Sequence, residues 1–109
     1  MPRYLIQGAY TAEAAAAFAS KPQDRVEGIR ALLEKLGARM DSFDYCLGDY
    51  DVMVTYSAPD DTTATAIALA VIAPGHLKAY KTTKLLSPEE FLEASRKASG
   101  AGYQAPSRG

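Results

Sequence analysis

The side chains that could do chemistry gather in a few short stretches of the 109-residue chain. The run Gly48-Asp49-Tyr50-Asp51 sets a phenol between carboxylates. A carboxylate beside a phenol can pass a proton or hold a polar ligand group, so Asp49, Tyr50 and Asp51 are candidates for a pocket at a sheet edge. The same run also reads as a turn. Glycine at 48 permits a positive φ, and Asp49 can hydrogen-bond nearby backbone amides. His76 is the one histidine. It could act as a general base or as a ligand to a metal or haem iron, or it could simply open a strand after Pro74-Gly75. Tyr4, Tyr56 and Tyr80 combine apolar rings with hydroxyls that can line a pocket or cross an interface. His76 and Asp51 are therefore the candidates for catalysis. Asp49, Tyr50, Tyr4, Tyr56 and Tyr80 are the candidates for ligand binding.

Other reactive residue types have plainer explanations. Cys46 is the single cysteine and can form no internal disulfide. It reads as a small buried hydrophobe unless the fold brings a base to it. The pairs Asp60-Asp61 and Glu89-Glu90 stand at helix starts, where capping and the helix dipole account for them. No second imidazole joins His76, and Asp44 and Asp51 show no metal-ligand spacing, so no metal and no cofactor are expected. There is no phosphate-binding glycine loop, dinucleotide fingerprint or Ser/His/Asp signature.

The elements that must position these residues follow from periodicity. Tyr4 to Tyr10 predicts a strand. Ala12 to Ala19 is alanine-rich and offers only Phe18 as an anchor, which predicts a short, partly helical connection ending at Ser20-Lys21-Pro22. Over Asp24 to Leu36, Val26, Ile29, Leu32, Leu33 and Leu36 recur at helical spacing behind a capping-box-like Asp24-x-x-Glu27, with Gly37 as the stop. Arg39 to Leu47 predicts a strand with Met40, Ser42, Asp44 and Cys46 on one side and Phe43 and Tyr45 on the other. Asp51 to Ser57 is its hairpin partner across Gly48-Asp49-Tyr50. Asp60 caps a helix through about Ala73, with Ala64, Ile67, Ala68, Val71 and Ile72 as its buried face. His76 to Leu85 is a fourth strand, and its lysines suit a solvated edge. Ser87-Pro88-Glu89-Glu90 starts a further helix anchored by Phe91 and Leu92. The folded domain is expected over residues 1–99, with a flexible tail at 100–109.

The order β-α-β-β-α-β plus a helix is the split βαβ, ferredoxin-like pattern, an α+β fold with two main helices on one face of a four-stranded antiparallel sheet. Several strands are apolar on both faces, and the helices cover one. A second subunit over the other face is the simplest remedy, with tyrosines suited to that contact.

Composition narrows the partners. The hydrophobic fraction is 48%, and twelve basic against thirteen acidic residues leave a formal charge of −1. That balance argues against a nucleic-acid surface and against binding to an anionic membrane. The longest apolar run, Ala64 to Pro74, is too short to span a bilayer. Met1-Pro2-Arg3-Tyr4 leads directly into a strand-like run, so no signal peptide is expected, and a reducing, cytoplasmic setting fits best.

The run Leu47-Gly48-Asp49-Tyr50-Asp51-Val52-Met53-Val54, followed by Pro59-Asp60-Asp61, resembles the GYD-domain family. Asp24-Arg25 with its helix, the Gly37 stop and Ser87-Pro88-Glu89-Glu90-Phe91 agree in position, so the resemblance covers residues 3 to 93. It implies a ferredoxin-like fold of the dimeric α/β-barrel type and no particular activity. The expected function is a homo-oligomeric small-molecule-binding or accessory domain. One alternative is a cofactor-independent enzyme, oxygenase- or isomerase-like, resting on fold analogy. Another is a purely structural oligomerisation or partner-binding module. The lack of a catalytic constellation tells against the enzyme.

Overall fold

Short polar side chains set the helix starts. In the computed structural model, which describes residues 1–107, the Thr11 hydroxyl accepts the Ala14 N–H at 3.1 Å, and Asp60 accepts the Thr63 N–H at 2.9 Å. Ser87 and Glu90 form a reciprocal capping box. The chain order is β1 (Arg3–Tyr10), α1 (Ala12–Ser20), α2 (Val26–Lys35), β2 (Arg39–Tyr45), β3 (Val52–Ser57), α3 (Asp61–Ile72), β4 (Leu77–Leu85) and α4 (Pro88–Ser99). The strands make one antiparallel sheet in the order β2-β3-β1-β4, the expected ferredoxin-like arrangement with β4 at an edge.

Strand alternation sorts the sheet into a helix-covered face and an open face. Tyr4, Ile6, Val52, Val54 and Tyr56 are buried with Leu33 of α2 and with Ala64 and Ile67 of α3. Leu33 and Ile67 are wholly inaccessible, and burying such side chains stabilises a fold by roughly 1.5–3 kcal/mol each. Tyr4 and Tyr56 stack at 5.2 Å within this layer. The tyrosines therefore belong to the helix-covered core, which corrects the expectation that they face a partner across the open side. The open face instead carries Leu5, Gln7, Met53, Thr55, Thr83 and Leu85, all partly buried.

Several local expectations need correction. The predicted alternation of the second strand breaks at Asp41, because Met40 pairs with Tyr56 and Ser42 with the next residue back, Thr55. That bulge returns Met40 to the face of Phe43 and Tyr45. The tight hairpin turn is a longer loop over residues 46–51, closed by the Cys46 N–H to the Asp51 carbonyl at 2.7 Å. Gly48 takes φ +148° there, and Gly37 ends α2 at φ +80°. The predicted partly helical connection is a regular helix, α1, with no buried residue. Asp24 does not form a capping box: Arg25 is the cap position of α2, and the Asp24 carboxylate accepts the Val26 N–H two residues on. The fourth strand starts at Leu77, so His76 precedes it. Ile72 is exposed, not part of the buried face of α3. Phe91 and Leu92 do not anchor α4, for they are 66% and 51% exposed and every residue of that helix is open to solvent. Residues 101–107 are exposed and outside any helix or strand; the expected tail extends to 109, and its last two residues lie outside the described residues.

This packing predicts a steep contrast. Leu33→Ala or Ile67→Ala should lose about 2–5 kcal/mol in urea denaturation. Phe91→Ser, on the unpacked helix, should stay within about 0.5 kcal/mol of the parent.

Candidate functional site

Between the sheet and its helices lies a cavity of about 140 Å³ at the end of the sheet where β1 runs out. Its walls are Ile6, Ile29, Leu32, Phe43, Val54 and Val71, contributed by strands β1, β2 and β3 and by helices α2 and α3. Gly8 forms part of the floor. A Cβ there would stand 3.2 Å from Val52 Cγ1 and 3.6 Å from Leu77 Cδ2, so a side chain at this position would intrude on the floor. The polar groups of the lining come from Tyr10, Arg25 and His76.

Each of these three residues is positioned by backbone events. Regular pairing of β1 with β4 shifts between Ala9 and Tyr10, and the Tyr10 N–H is taken by the Asp51 carboxylate at 2.8 Å. The Asp51 N–H in turn donates to the Gly8 carbonyl at 2.8 Å. One residue at the end of the β2–β3 loop thus clamps the last turn of β1 on two sides. The Thr11 N–H donates to the His76 carbonyl at 3.0 Å, which ties the start of α1 to the entry of β4. The Tyr10 ring then lies 6.2 Å from the His76 ring at an interplanar angle of 23°, and Phe18 of α1 meets it edge-on at 4.9 Å. Burial, more than the neighbouring charges, pushes the Tyr10 phenol above its ordinary pKa.

Arg25 is held from below. Tyr45 Oη accepts the Arg25 N–H at 3.1 Å and donates to Asp24 Oδ1 at 3.3 Å, joining β2 to the first turn of α2. The guanidinium then folds back over Gly28. A Cβ at 28 would come within 3.3 Å of Arg25 Nη2. Glycine inside a helix costs about 0.5–1 kcal/mol relative to alanine, and here its bare backbone leaves the space the guanidinium occupies.

The residues predicted from sequence fall in separate places. Of the catalytic candidates, His76 borders the cavity, whereas Asp51 faces an outer hollow with Tyr10, Phe18, Tyr45 and Cys46. Asp49 and Tyr50 stand on the loop and border neither. Tyr56 is fully buried, and the hydroxyls of Tyr56 and Tyr80 are enclosed without a hydrogen-bond partner among the described residues. Tyr4 belongs to a different group. Its hydroxyl donates to Asp61 Oδ1 at 2.6 Å, and Lys84 Nζ lies 3.1 Å from the same oxygen. Burial, then the Asp61 carboxylate, pushes the Tyr4 phenol up to about 12, while the Tyr4 hydrogen bond and the Lys84 contact hold Asp61 below the usual carboxylate range. This group ties β1, α3 and β4 together. Sequence reasoning missed Arg25 and Tyr10 as lining residues. The available signal was Gly28, a glycine in the first turn of a helix three residues beyond an arginine.

Among the described residues, no group of three His, Cys, Asp or Glu side chains gathers to hold a metal ion. None of the described helices is long and apolar enough to cross a membrane.

Two measurements test this geometry. Asp51→Ala strips the acceptor from the Tyr10 N–H and should cost roughly 1–3 kcal/mol, while Asp49→Ala should cost under about 0.5 kcal/mol in the same denaturation assay. In a phenolate absorbance titration, Tyr4 should remain protonated beyond the ordinary 10.0 and titrate near 12. An unfolded chain ionises this phenol first, so its contribution is present below pH 10 and lost as the pH climbs towards 12. Tyr4→Phe should remove the phase near 12, while Tyr56, whose phenol burial also pushes up, keeps a high-pH phase of its own.

Comparison with known proteins agrees with this architecture. Eight chains of solved structures match. One is the structure described as MtbAldR, with a TM-score of 0.61 at 14% identity over 79% of this chain, a likeness that concerns the fold alone. The present chain spans about half of that one, 52% of its length. No curated protein matches. The sequence model of the GYD domain matches residues 4–95, which takes in β1 through most of α4, and the chain belongs to the GYD-domain family.

Proposed function

We propose that this GYD-domain protein is a homodimeric small-molecule-binding domain whose ligand enters the cavity between sheet and helices. The observation that carries the reading is the cavity itself: apolar walls from five elements, with a few polar groups converging on them. Ligand sites commonly combine these features. Its volume of about 140 Å³ is on the scale of about 150 Å³ that accommodates a benzene molecule, so the buried part of the ligand is no larger than a ring or a branched chain of similar size. Binding is favoured over catalysis because the Asp51 carboxylate is committed to the Tyr10 amide, leaving His76 without an acidic partner in the cavity wall.

The dimeric part rests on the open face. Leu5, Met53 and Leu85 sit there on neighbouring strands with no helix above them, and a second copy laid face to face would cover them. Light scattering at micromolar concentration should give a dimer; a clean monomer would contradict this part.

A panel of small ring compounds in a thermal-shift assay checks the cavity. Compounds present well above their dissociation constants should raise Tm. Ala70→Phe alters an exposed residue of α3 on the cavity wall, so it should fill the cavity without disturbing the core. It should abolish the shift. The same shift in parent and variant would exclude the cavity as the site.

A further inference from the structure

We infer that the cavity takes an organic anion: a small apolar body inside, with a carboxylate or similar acidic group held at Arg25. This rests on the reading of the cavity as a ligand site and specifies its chemistry. Among all residues that line the cavity, Arg25 is the one with a permanent charge, and no Asp or Glu is present to neutralise it. The chain as a whole carries −1, so this local positive sign is not a reflection of overall composition.

The carboxylates closest along the fold are already engaged. Asp24 accepts the Val26 N–H and the Tyr45 hydroxyl, and Asp51 accepts the Tyr10 N–H. Neither borders the cavity. Arg25 takes part in none of the side-chain ion pairs formed among the described residues, in contrast to Arg3, Arg30, Arg39 and Arg96. A guanidinium offers a planar fork of N–H donors matched to a carboxylate, and such charge-assisted bonds are about twice as strong as neutral ones.

The position of this cation is built into the chain. Tyr45 fixes its backbone, and the bare Gly28 leaves room for its head group to fold back along α2. His76 joins it on two surfaces at once, since both residues line the cavity and the shallower hollow beneath α1. They therefore mark the passage between the apolar interior and solvent. An anion there keeps partial hydration while its apolar body is desolvated, which avoids the cost of burying a charge outright.

The test compares benzoate with its neutral isostere benzamide, by calorimetric titration of the full chain. Benzoate should bind about tenfold more tightly. Arg25→Gln, at an exposed position, should bring the ratio of benzoate to benzamide affinity down to about one, whatever it does to the two affinities in absolute terms. Gly28→Ala keeps the charge and crowds the guanidinium, with a Cβ 3.3 Å from Arg25 Nη2, and should lower that ratio by less than Arg25→Gln does. Equal affinity of the parent for the two probes, or a benzoate preference that survives in Arg25→Gln, would overturn the anion assignment and leave the cavity reading standing. Binding of neither probe at millimolar concentration would overturn both.

Discussion

The loop between β2 and β3 is tied to the central strand by a single residue, and the site depends on that tie. Asp51 donates its N–H to the Gly8 carbonyl and receives the Tyr10 N–H on its carboxylate. These bonds take over where the ladder of β1 with β3 ends at the Gly8–Val52 pair. Without them, the end of β1 would expose an unpaired amide next to an apolar hollow, which is unfavourable for a buried donor. With them, Gly8 floors the cavity and Tyr10 stands at its edge. The Gly-Asp-Tyr string that marks the family is thus the approach to Asp51, and the residue after the string makes the contacts.

Around that tie, small residues leave room where function would need it. Gly8 keeps the floor open, and Gly28 gives the Arg25 head group its place over α2. Both positions sacrifice some backbone stability for space. The opposite end of the sheet follows a different logic. There Tyr4, Asp61 and Lys84 form a chain of contacts that closes β1, α3 and β4 on one another, and the Tyr4–Tyr56 stack fills the layer beneath. One end of the sandwich is consolidated by polar bonds and stacked rings; the other retains a cavity.

Much of the architecture could be read from the residues. The stripe through Ile29, Leu33 and Leu36, the caps at Asp60 and Ser87, and the alternation of β3 each carry a period or an offset that a fold must respect, and the sheet has the strand order usual for that succession of elements. The bulge at Asp41 was not legible, because an extra residue in a strand leaves no mark on an already irregular pattern. The faces of the tyrosines were misread for a related reason. Parity along a strand says which residues share a face and never which face receives the helices. Phe91 and Leu92 looked like anchors since apolar spacing on a helix signals a buried stripe, yet α4 finds nothing to pack on within one chain. The lining residues were the least visible of all. Arg25 and Tyr10 meet through a strand end, a loop and a helix start that are far apart in sequence.

The central claim is that the space between sheet and helices, rather than the open face, receives a small ligand. Methyl-resolved NMR during titration with benzamide tests it most directly. The account predicts shift changes concentrated at Ile6, Ile29, Val54 and Val71. Changes concentrated at Leu5, Met53 and Leu85, with those four methyls unmoved, would contradict it.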